Sequence, residues 1–547
     1  MAARTQRSLV RAAATLATLS SVSLLHPVTA SPTDAPPISR IRRPEAPAPR
    51  FVFGTGTLAR SHVDRLAGLR ASREATTLTG GSAAEPAGTD EPRRLAPVQS
   101  LSFEAIPRTG GNWPADPIGA KGVSSIVTAV NAHTAVYAPD GSTLLAPTSL
   151  SSFVAFPGGT QLYDPKVVFD QYTSNFVLSY LAVNDAQRRS RIVLATIPDA
   201  TAADISTWCF IKIPGDGVDA NGRQWSDYPG LGYDMNAVTV TANAFHFKTQ
   251  RFAYAQILRF PKDTFYDPSC TQTALYRRFS GRATRNPDGS KAFTIQPAAS
   301  VGPEATSQYL VSYERRQEVS AVVLWRLHDT PNGLRLERVA LPVAKASISP
   351  YGTQRGGTLR NADTWWDPGD LRLINAYYDS ATGRLYTAHV IAKDIKPDVS
   401  TGGYGEAAIR WYEIVPGSAP SEAEVQRVGI VGTPETDAGW PTIATDGAGN
   451  VFIAYNRASA VRGTREYLSA WAAEIPVGTK EAELLLLWPG EARMEAVPGP
   501  ERWGDFNGIN RDPLDPAVMA MVNQFAESDG GGATQDWQQT VHLVSHG

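Results

Sequence analysis

Short runs in which apolar and polar residues alternate recur along most of the chain, separated by turns rich in Gly, Asp, Asn and Pro. One clear pair of runs occupies 163–170 and 176–180, with the polar turn 171–175 between them. Alternation with a period of two is typical of a β-strand, because successive side chains point to opposite faces of a sheet. Two such runs joined by a short polar turn predict a β-hairpin.

The hairpin pattern repeats with a constant internal spacing. An Asp before the turn follows a Pro or Asn near the strand start at an offset of five residues. The clear copies run from Pro165 to Asp170, Pro229 to Asp234, Pro441 to Asp446 and Asn507 to Asp512. Weaker copies begin near 126, 297 and 374, which gives seven starts with a mean step of roughly 64 residues. We therefore predict an all-β fold, a β-propeller of seven blades, with six and eight as the alternatives.

Strand-like runs at both ends of this region indicate how the ring closes. The run 96–103 precedes the first repeat, and 538–544 is the last strand pattern of the chain. An open ring would leave two unpaired strand edges, which folded proteins avoid. We expect the N-terminal and C-terminal strands to pair and so close the propeller.

Length and composition agree with a repeated β fold. The 547 residues exceed the roughly 250 to 300 that one hydrophobic core usually serves. The 46 Gly and 40 Pro are dispersed, together with 12 Trp, 19 Tyr and 18 Phe. Turn formers and β-formers therefore dominate, and we assign 96–547 to the propeller.

The first 95 residues differ from the rest of the chain. Three arginines precede an apolar stretch at 12–25, and a small-residue cleavage site ends at Ala30, so 1–30 is predicted to be a secretory signal peptide. Residues 31–95 are rich in Pro, Ala and Arg, which predicts a flexible leader. No later stretch is apolar over enough residues to span a bilayer. We expect a secreted protein, extracellular or periplasmic, with no transmembrane segment.

The formal net charge of −2 gives no general attraction to negatively charged partners. Without a basic stripe there is no electrostatic case for nucleic acid. We expect an extracellular glycan or protein as partner, and a monomer.

Only two cysteines are present, Cys209 and Cys270. An oxidising destination favours a disulfide between them, and the alternative is a pair of free buried thiols. Two cysteines alone make no metal site, and the chain has no clustered Cys and His pattern that would predict zinc.

The blade starts resemble a known group of proteins. The segments concerned are 164–165 with 176–177, 225–232 with 241–243, 370–376, and 502–506 with 512–513. They are similar to the blades of secreted bacterial β-propellers of the sialidase-like type, across about residues 110 to 545. The resemblance implies the fold and no particular reaction, because propellers host enzymes, lectins and scaffolds. Only fragments of the sialidase Asp-box occur, at 140–143 and 446–450, and neither an arginine triad nor a Tyr and Glu pair can be assigned, so a true sialidase is not expected.

Four aspartates stand at or just before the predicted inner strands: Asp164, Asp227, Asp370 and Asp505. Inner strands of a propeller begin around one mouth of the central channel, so these carboxylates could meet there. They could bind calcium, the one metal we consider, or supply an acid and a base for glycoside cleavage. The alternative is that each caps its own turn.

A cluster of proton-transfer and anion-binding groups follows the third blade start. His246 or Tyr254 could act as a base, with Arg251 or Lys248 neutralising a uronate carboxylate, as a polysaccharide lyase requires. The alternative is an ordinary strand whose charged residues face water.

Tryptophans beside charged residues form a second theme, because aromatic faces stack on sugar rings. Their alternative role is packing between blades. The substrate-binding candidates are Trp365, Trp366, Arg372, Trp440, Arg502 and Trp503.

Two functional hypotheses remain from the sequence. The first is a secreted propeller that binds extracellular polysaccharide at one mouth and, as a hydrolase or lyase, cleaves it, with His246, Tyr254, Arg251, Asp227 and Asp505 as catalytic candidates. The second is a non-catalytic interaction scaffold at the cell surface. No cofactor is required by either.

Overall fold

A computed structural model describes residues 96–547, apart from 109–112, 268, 271–273, 316–318, 332, 350, 358–363, 394–405, 462, 496–499 and 531–532. The predicted signal peptide at 1–30 and leader at 31–95 lie outside the described residues.

Strands make up nearly all of the regular structure. In chain order the first are β1 (Val98–Pro107), β2 (Ile118–Lys121), β3 (Ile126–Val130), β4 (His133–Tyr137), β5 (Thr143–Ser149), β6 (Gln161–Asp170), β7 (Asn175–Asn184), β8 (Arg189–Pro198), β9 (Cys209–Pro214), β10 (Val218–Asp219) and β11 (Gly222–Tyr233). The middle ones are β12 (Ala237–His246), β13 (Phe252–Pro261), β14 (Arg277–Phe279), β15 (Gln296–Val301), β16 (Gln308–Glu314), β17 (Ser320–Thr330), β18 (Gly333–Val343), β19 (Gly352–Thr353), β20 (Trp365–Trp366), β21 (Ala376–Asp379) and β22 (Arg384–Ala392). The last are β23 (Ala407–Val415), β24 (Glu424–Val431), β25 (Asp437–Thr445), β26 (Val451–Ser459), β27 (Glu466–Ile475), β28 (Glu483–Trp488), β29 (Arg493–Met494), β30 (Gly508–Arg511), β31 (Val518–Ala526), β32 (Ala533–Thr534) and β33 (Trp537–Ser545). A single helical turn, α1 (Lys262–Phe265), and short 3₁₀ turns at Leu150–Ser152, Asp199–Thr201, Ile205–Thr207 and Pro420–Glu422 lie in the connections.

The described strands form seven antiparallel units of four strands. The units are β2 to β5, β6 to β9, β11 to β14, β15 to β18, β21 to β24, β25 to β28, and β30, β31, β33 and β1. Short pairs join β10 to β11, β19 to β20 and β29 to β32. Six of these units are consecutive antiparallel meanders, as a propeller blade requires, and the seventh is completed by β1 from the other end of the chain.

The first strands of the units lie next to one another in a ring. Going round, β2 lies beside β6, then come β11, β15, β21, β25 and β30, and β30 lies beside β2 again. Neighbouring first strands run parallel where they pair, as Tyr233 with Ala299 and Ala298 with Ala376 show. The predicted all-β propeller is therefore the observed fold. The blade number of seven stays a prediction, which the count of units supports.

The two ends of the described chain meet in the last unit. β1 pairs antiparallel with β33, with Phe103 opposite Val541 and Ser102 opposite His542. The outermost strand of this blade therefore comes from the N-terminal end and the other three strands from the C-terminal end. The predicted pairing of the terminal strands is present.

The first blade begins earlier than the sequence indicated. We predicted its first strand near 126, but Ile126–Val130 is β3, and the first strand is β2. β2 has only four residues, and Gly119 interrupts its apolar pattern. A Cβ at Gly119 would come within 2.9 Å of the Val127 oxygen and of a Val522 methyl group. Close packing at this position leaves room only for glycine, and Gly119 interrupts the apolar alternation by which the strand would have been recognised.

The repeated Asp before each hairpin turn is a turn cap. In each case one carboxylate oxygen accepts the backbone N–H two residues later, at 2.8–3.1 Å. The five residues are Asp170, Asp234, Asp379, Asp446 and Asp512. Some of these carboxylates also bind a cation from another blade, as Asp170 does with Lys262 at 2.6 Å and Asp512 with Lys121 at 2.9 Å. This Asp marks structure, which is why it recurs so regularly.

Cys209 and Cys270 form a disulfide, as predicted, with a sequence separation of 61 residues. It joins the start of β9 in the second blade to the connection that follows α1 in the third. Two neighbouring blades are therefore covalently linked. Among the described residues, no helix has the length and apolar character needed to cross a membrane.

Loss of this disulfide should lower stability. We expect the double variant Cys209→Ser and Cys270→Ser to lose about 4 kcal/mol of unfolding free energy, because the closed loop of 61 residues restricts the unfolded chain. Urea unfolding of the oxidised protein, the reduced protein and the double variant checks this. Equal midpoints for the oxidised protein and the variant would contradict it.

Candidate functional site

Charged and aromatic side chains from five blades meet where the first strands begin. We call this group the mouth cluster. Its members are Asp116, Asp164, Lys166, Asp227, Tyr228, Asp370, Arg372, Arg502, Asp505 and Phe506.

A distorted backbone brings several of these residues to the mouth. Asp116, Asp164, Tyr228 and Trp440 have left-handed backbone conformations, with φ of 49°, 52°, 49° and 50°. A proline follows each of them, and bulges interrupt the strand pairing at the last three positions. Aspartate tolerates this conformation better than Tyr or Trp does, and such strain is concentrated at functional sites. The same local device therefore bends the start of several first strands.

A chain of hydrogen bonds connects the carboxylates of neighbouring blades. The Asn131 side chain donates to Asp116 Oδ2 at 2.8 Å and accepts the backbone N–H of Asp164 at 2.8 Å. Asp116 Oδ1 accepts the backbone N–H of Asp505 at 2.8 Å. Asp164 Oδ2 accepts the backbone N–H of Tyr228 at 2.9 Å. These bonds fix the positions of the carboxylates before any ligand arrives.

Two of these carboxyl groups are poor acids. Burial raises the pKa of Asp116 well above its usual value, and the negative charges of Asp505 and Asp164 raise it further. Burial likewise raises the pKa of Asp164, with Asp227 and Asp505 adding to the effect. Carboxylates crowded in one buried site cannot all be ionised. The cluster therefore retains protons at pH values where exposed aspartates have lost theirs.

Asp227 is the carboxyl group of the cluster best placed for proton transfer. It is half-buried and makes no side-chain hydrogen bond within the described part of the chain. Burial raises its pKa to about 7, while Arg372 lowers it and Asp505 raises it. A group with this pKa both holds and releases a proton near neutral pH, as an acid catalyst must.

Two arginines in the mouth keep part of their hydrogen-bonding capacity. Arg372 Nε binds both oxygens of Asp370 at 2.9 and 3.0 Å, and its guanidinium carbon lies 4.1 Å from the Tyr228 ring centroid. Arg502 Nη2 binds both oxygens of Asp505 at 2.9 Å. The other N–H groups of each side chain have no acceptor among the described residues, and the two side chains are 15% and 19% exposed. They are free to bind an oxyanion that enters the mouth.

The predicted catalytic residues divide into two groups. Asp227 and Asp505 belong to the mouth cluster, as do Arg372 and Arg502 from the substrate-binding candidates. His246 ends β12, buried, with Nε2 3.6 Å from Asp219 Oδ2.

The other residues predicted with His246 lie beside it on the third blade. The Tyr254 hydroxyl donates to Gln224 Oε1 at 3.0 Å, and Arg251 is exposed. The described contacts of His246 and Tyr254 are with Asp219 and Gln224, neither of which belongs to the mouth cluster.

The four tryptophan candidates are buried: Trp365, Trp366, Trp440 and Trp503. Trp366 and Trp503 have no exposed surface and share one core cluster with Trp440. The Trp440 Nε1–H donates to the backbone oxygen of Asp367 at 2.7 Å. Such rings have no free face for a sugar, so the burial favours the alternative role of packing between blades.

The sequence did not single out Asp116, Lys166 or Tyr228. The signal that the sequence offered for Asp116 and Tyr228 is a following proline, which they share with Asp164 and Trp440, and no such signal marks Lys166. Among the described residues, no group of three or more His, Cys, Asp or Glu side chains is arranged to hold a metal ion.

No family of known proteins and no curated protein sequence matches this chain. Similar solved structures include an alpha-L-arabinofuranosidase of Fusarium graminearum with arabinobiose, at 7% identity and a TM-score of 0.37, covering 83% of this chain and 98% of that one. A sialidase of Trypanosoma rangeli has 8% identity and a TM-score of 0.36, covering 74% and 57%. The propeller predicted from the resemblance is shown by the strand pairing itself, independently of these structures. At these scores the likeness to them identifies no activity.

Proposed function

We propose that this protein is a secreted propeller that binds an extracellular polysaccharide at the mouth cluster and cleaves a glycosidic bond there. The observation that carries the proposal is Asp227, a carboxyl group without a hydrogen-bond partner in the described structure, with a pKa raised to about 7 and two arginines beside it. Export follows from the predicted signal peptide, and the disulfide agrees with an oxidising compartment.

The proposed cleavage needs one group that donates a proton to the leaving oxygen and a second group that acts as a base or a nucleophile. Protonated Asp227 would donate to the glycosidic oxygen as the bond breaks. The free N–H groups of Arg372 and Arg502 would orient the sugar, and Asp505, held in place by Arg502, would lie near the reacting carbon. Differences in environment separate the roles of these carboxyl groups, as acid catalysis at neutral pH requires.

Asp227→Asn is the sharpest test of this mechanism. The amide keeps the shape of the side chain but cannot donate an acidic proton, so we expect the cleavage rate to fall by about 10²- to 10⁴-fold with binding retained. Because the acid must be protonated, the wild-type rate should fall as pH rises above about 7, and the variant should lose this dependence. A panel of neutral and acidic polysaccharides, assayed for binding and for new reducing ends, provides the measurement.

Asp140→Asn is the matched control, because Asp140 caps an exposed turn in the first blade, away from the mouth. It should behave as wild type. Full cleavage by Asp227→Asn would reject the assigned role, and a panel with neither binding nor cleavage would reject the proposed function.

A non-catalytic scaffold is the second candidate. The observation in its favour is that Asp370 and Asp505 are already paired with arginines, which is also a way of stabilising a ring. Binding of a panel member without turnover, unchanged in Asp227→Asn, would favour this candidate.

A further inference from the structure

Lys166 is the least expected member of the mouth cluster. It lies in β6, two residues after Asp164, and only 7% of it is exposed. Among the described residues its amine makes no hydrogen bond and no ion pair within 4 Å, and its contacts are with two aromatic rings. A buried charge without a partner destabilises a folded protein, so an unpartnered lysine at a mouth calls for a functional explanation.

Two aromatic rings contact the Lys166 amine through their faces. Lys166 Nζ lies 3.1 Å from the centroid of the Phe506 ring and 5.9 Å from that of Tyr228. The two rings pack against each other with centroids 5.0 Å apart. The ring faces fix the position of the amine, and as cation–π partners they favour its charged form, so burial must outweigh them for the amine to be neutral.

The surroundings favour the neutral amine. Burial lowers the pKa of Lys166 to about 7, against the opposing effect of Asp164, Asp116 and Asp505. Asp116 and Asp164 have raised pKa values themselves, which weakens that opposition near neutral pH. The other charged or titratable groups that face this space are Asp227, Tyr228, Asp370, Arg372 and Arg502. A neutral lysine has a lone pair and can act as a base.

We propose that Lys166 is the base that removes a proton from a uronate residue, so that the mouth cleaves an acidic polysaccharide by β-elimination. This inference rests on the proposed function and names its substrate class. The free N–H groups of Arg372 and Arg502 bind the uronate carboxylate and disperse its charge, which makes the adjacent C5–H acidic.

The step is balanced with the groups already present. Lys166 Nζ takes the C5 proton, and the electrons of the C5–H bond form the double bond between C4 and C5. The C4–O bond breaks with its electron pair on the oxygen, which takes the proton of Asp227. Water then accepts the proton from Lys166 and returns one to Asp227, so that no oxidant or other reactant is needed.

The test uses the full mature chain with polygalacturonate, alginate and glucuronan, and with neutral arabinan for comparison. Unsaturated uronate is followed by ultraviolet absorbance and total cleavage by reducing ends. We expect unsaturated product from at least one acidic polymer. Lys166→Met, which keeps the length, and Lys166→Arg, which stays charged, should each lower its rate by about 10²-fold or more with KM little changed.

Lys212→Met is the control, since Lys212 lies on the same blade over a phenylalanine ring, 5.2 Å from the Phe156 centroid, but is exposed and bonded to a backbone oxygen. It should keep the wild-type rate. Reducing ends without unsaturated product would overturn the role of Lys166 and leave the proposed function standing. If no polysaccharide is cleaved or bound, both the role of Lys166 and the proposed function are rejected.

Thermal unfolding against pH gives a readout that does not depend on activity. The folded pKa of about 7 lies below the unfolded value of about 10.4, so the lysine destabilises the fold fully below pH 7 and less as pH rises toward 10. Lys166→Met should therefore raise the melting temperature most at low pH, and the gain should shrink as pH rises. A gain that is absent, or equal at every pH, would overturn the proposal, as would a variant that keeps its activity.

Discussion

Removal of residues 96–107 is expected to abolish cooperative folding of the propeller. This change deletes β1, which supplies the outer strand of the last blade, and leaves the β33 edge without a partner along its whole length. It also removes Ala105 and Ile106 from the core that contains Trp537 and Val541. The lost strand pairing and burial would remove a large part of the unfolding free energy, which is roughly 5–15 kcal/mol for a typical protein.

Near-ultraviolet circular dichroism and thermal unfolding measure this effect, with size-exclusion chromatography to detect association through the exposed edge. A chain that begins at residue 96 is the control and should unfold cooperatively. A synthetic peptide of residues 96–107 should restore part of the transition when added to the shortened protein. Equal melting temperatures for the two chains would contradict the closing role of β1.

Asp505→Ala should destabilise the protein by about 3 kcal/mol. The substitution leaves the Arg502 guanidinium in the mouth without the carboxylate that binds it through both oxygens at 2.9 Å. Breaking a buried ion pair from one side typically costs about 3–5 kcal/mol, and the partial exposure of Arg502 places our estimate at the lower end. Urea unfolding with an unchanged slope measures the difference.

Asp536→Ala is the matched control. This substitution breaks the ion pair between Asp536 and Arg108. Because the Asp536 side chain is 44% exposed, the loss should be at most about 1 kcal/mol of unfolding free energy. In the double variant Asp505→Ala and Arg502→Met, both charges are gone and much of the loss should be recovered. If Asp505→Ala lowers the unfolding free energy no more than Asp536→Ala does, the ion pair between Arg502 and Asp505 does not stabilise the fold more than an exposed pair.

The fold could be predicted because its signals are local. Strand alternation and turn residues act over a few neighbours, so the hairpins around Asp170, Asp234 and Asp446 were visible in the sequence. The same holds for the terminal strands and for the pair of cysteines. The first blade was misplaced because β2 is short and contains Gly119, whose role comes from contacts with a distant strand.

The site was predicted only in part, because its chemistry depends on distant neighbours. Asp227, Asp505, Arg372 and Arg502 were candidates from the sequence, since each stands near a recognisable blade start, and they lie together in the mouth cluster. The unusual proton affinity of Lys166 comes from burial among other blades, which no local pattern reports. The burial of the tryptophans was likewise not visible, because a Trp that faces a channel and a Trp packed between blades look alike in sequence.

The strand that closes the ring also sets an order in time. A ribosome makes β1 before every other described strand and its partner β33 after all of them, so β1 waits until the last blade has been synthesised. Pairings between such distant positions form slowly, because a long loop must close before they contribute. The ring can thus be completed only once β33 has been made, and every nascent or truncated chain that lacks β33 carries an open edge that distinguishes it from the folded propeller.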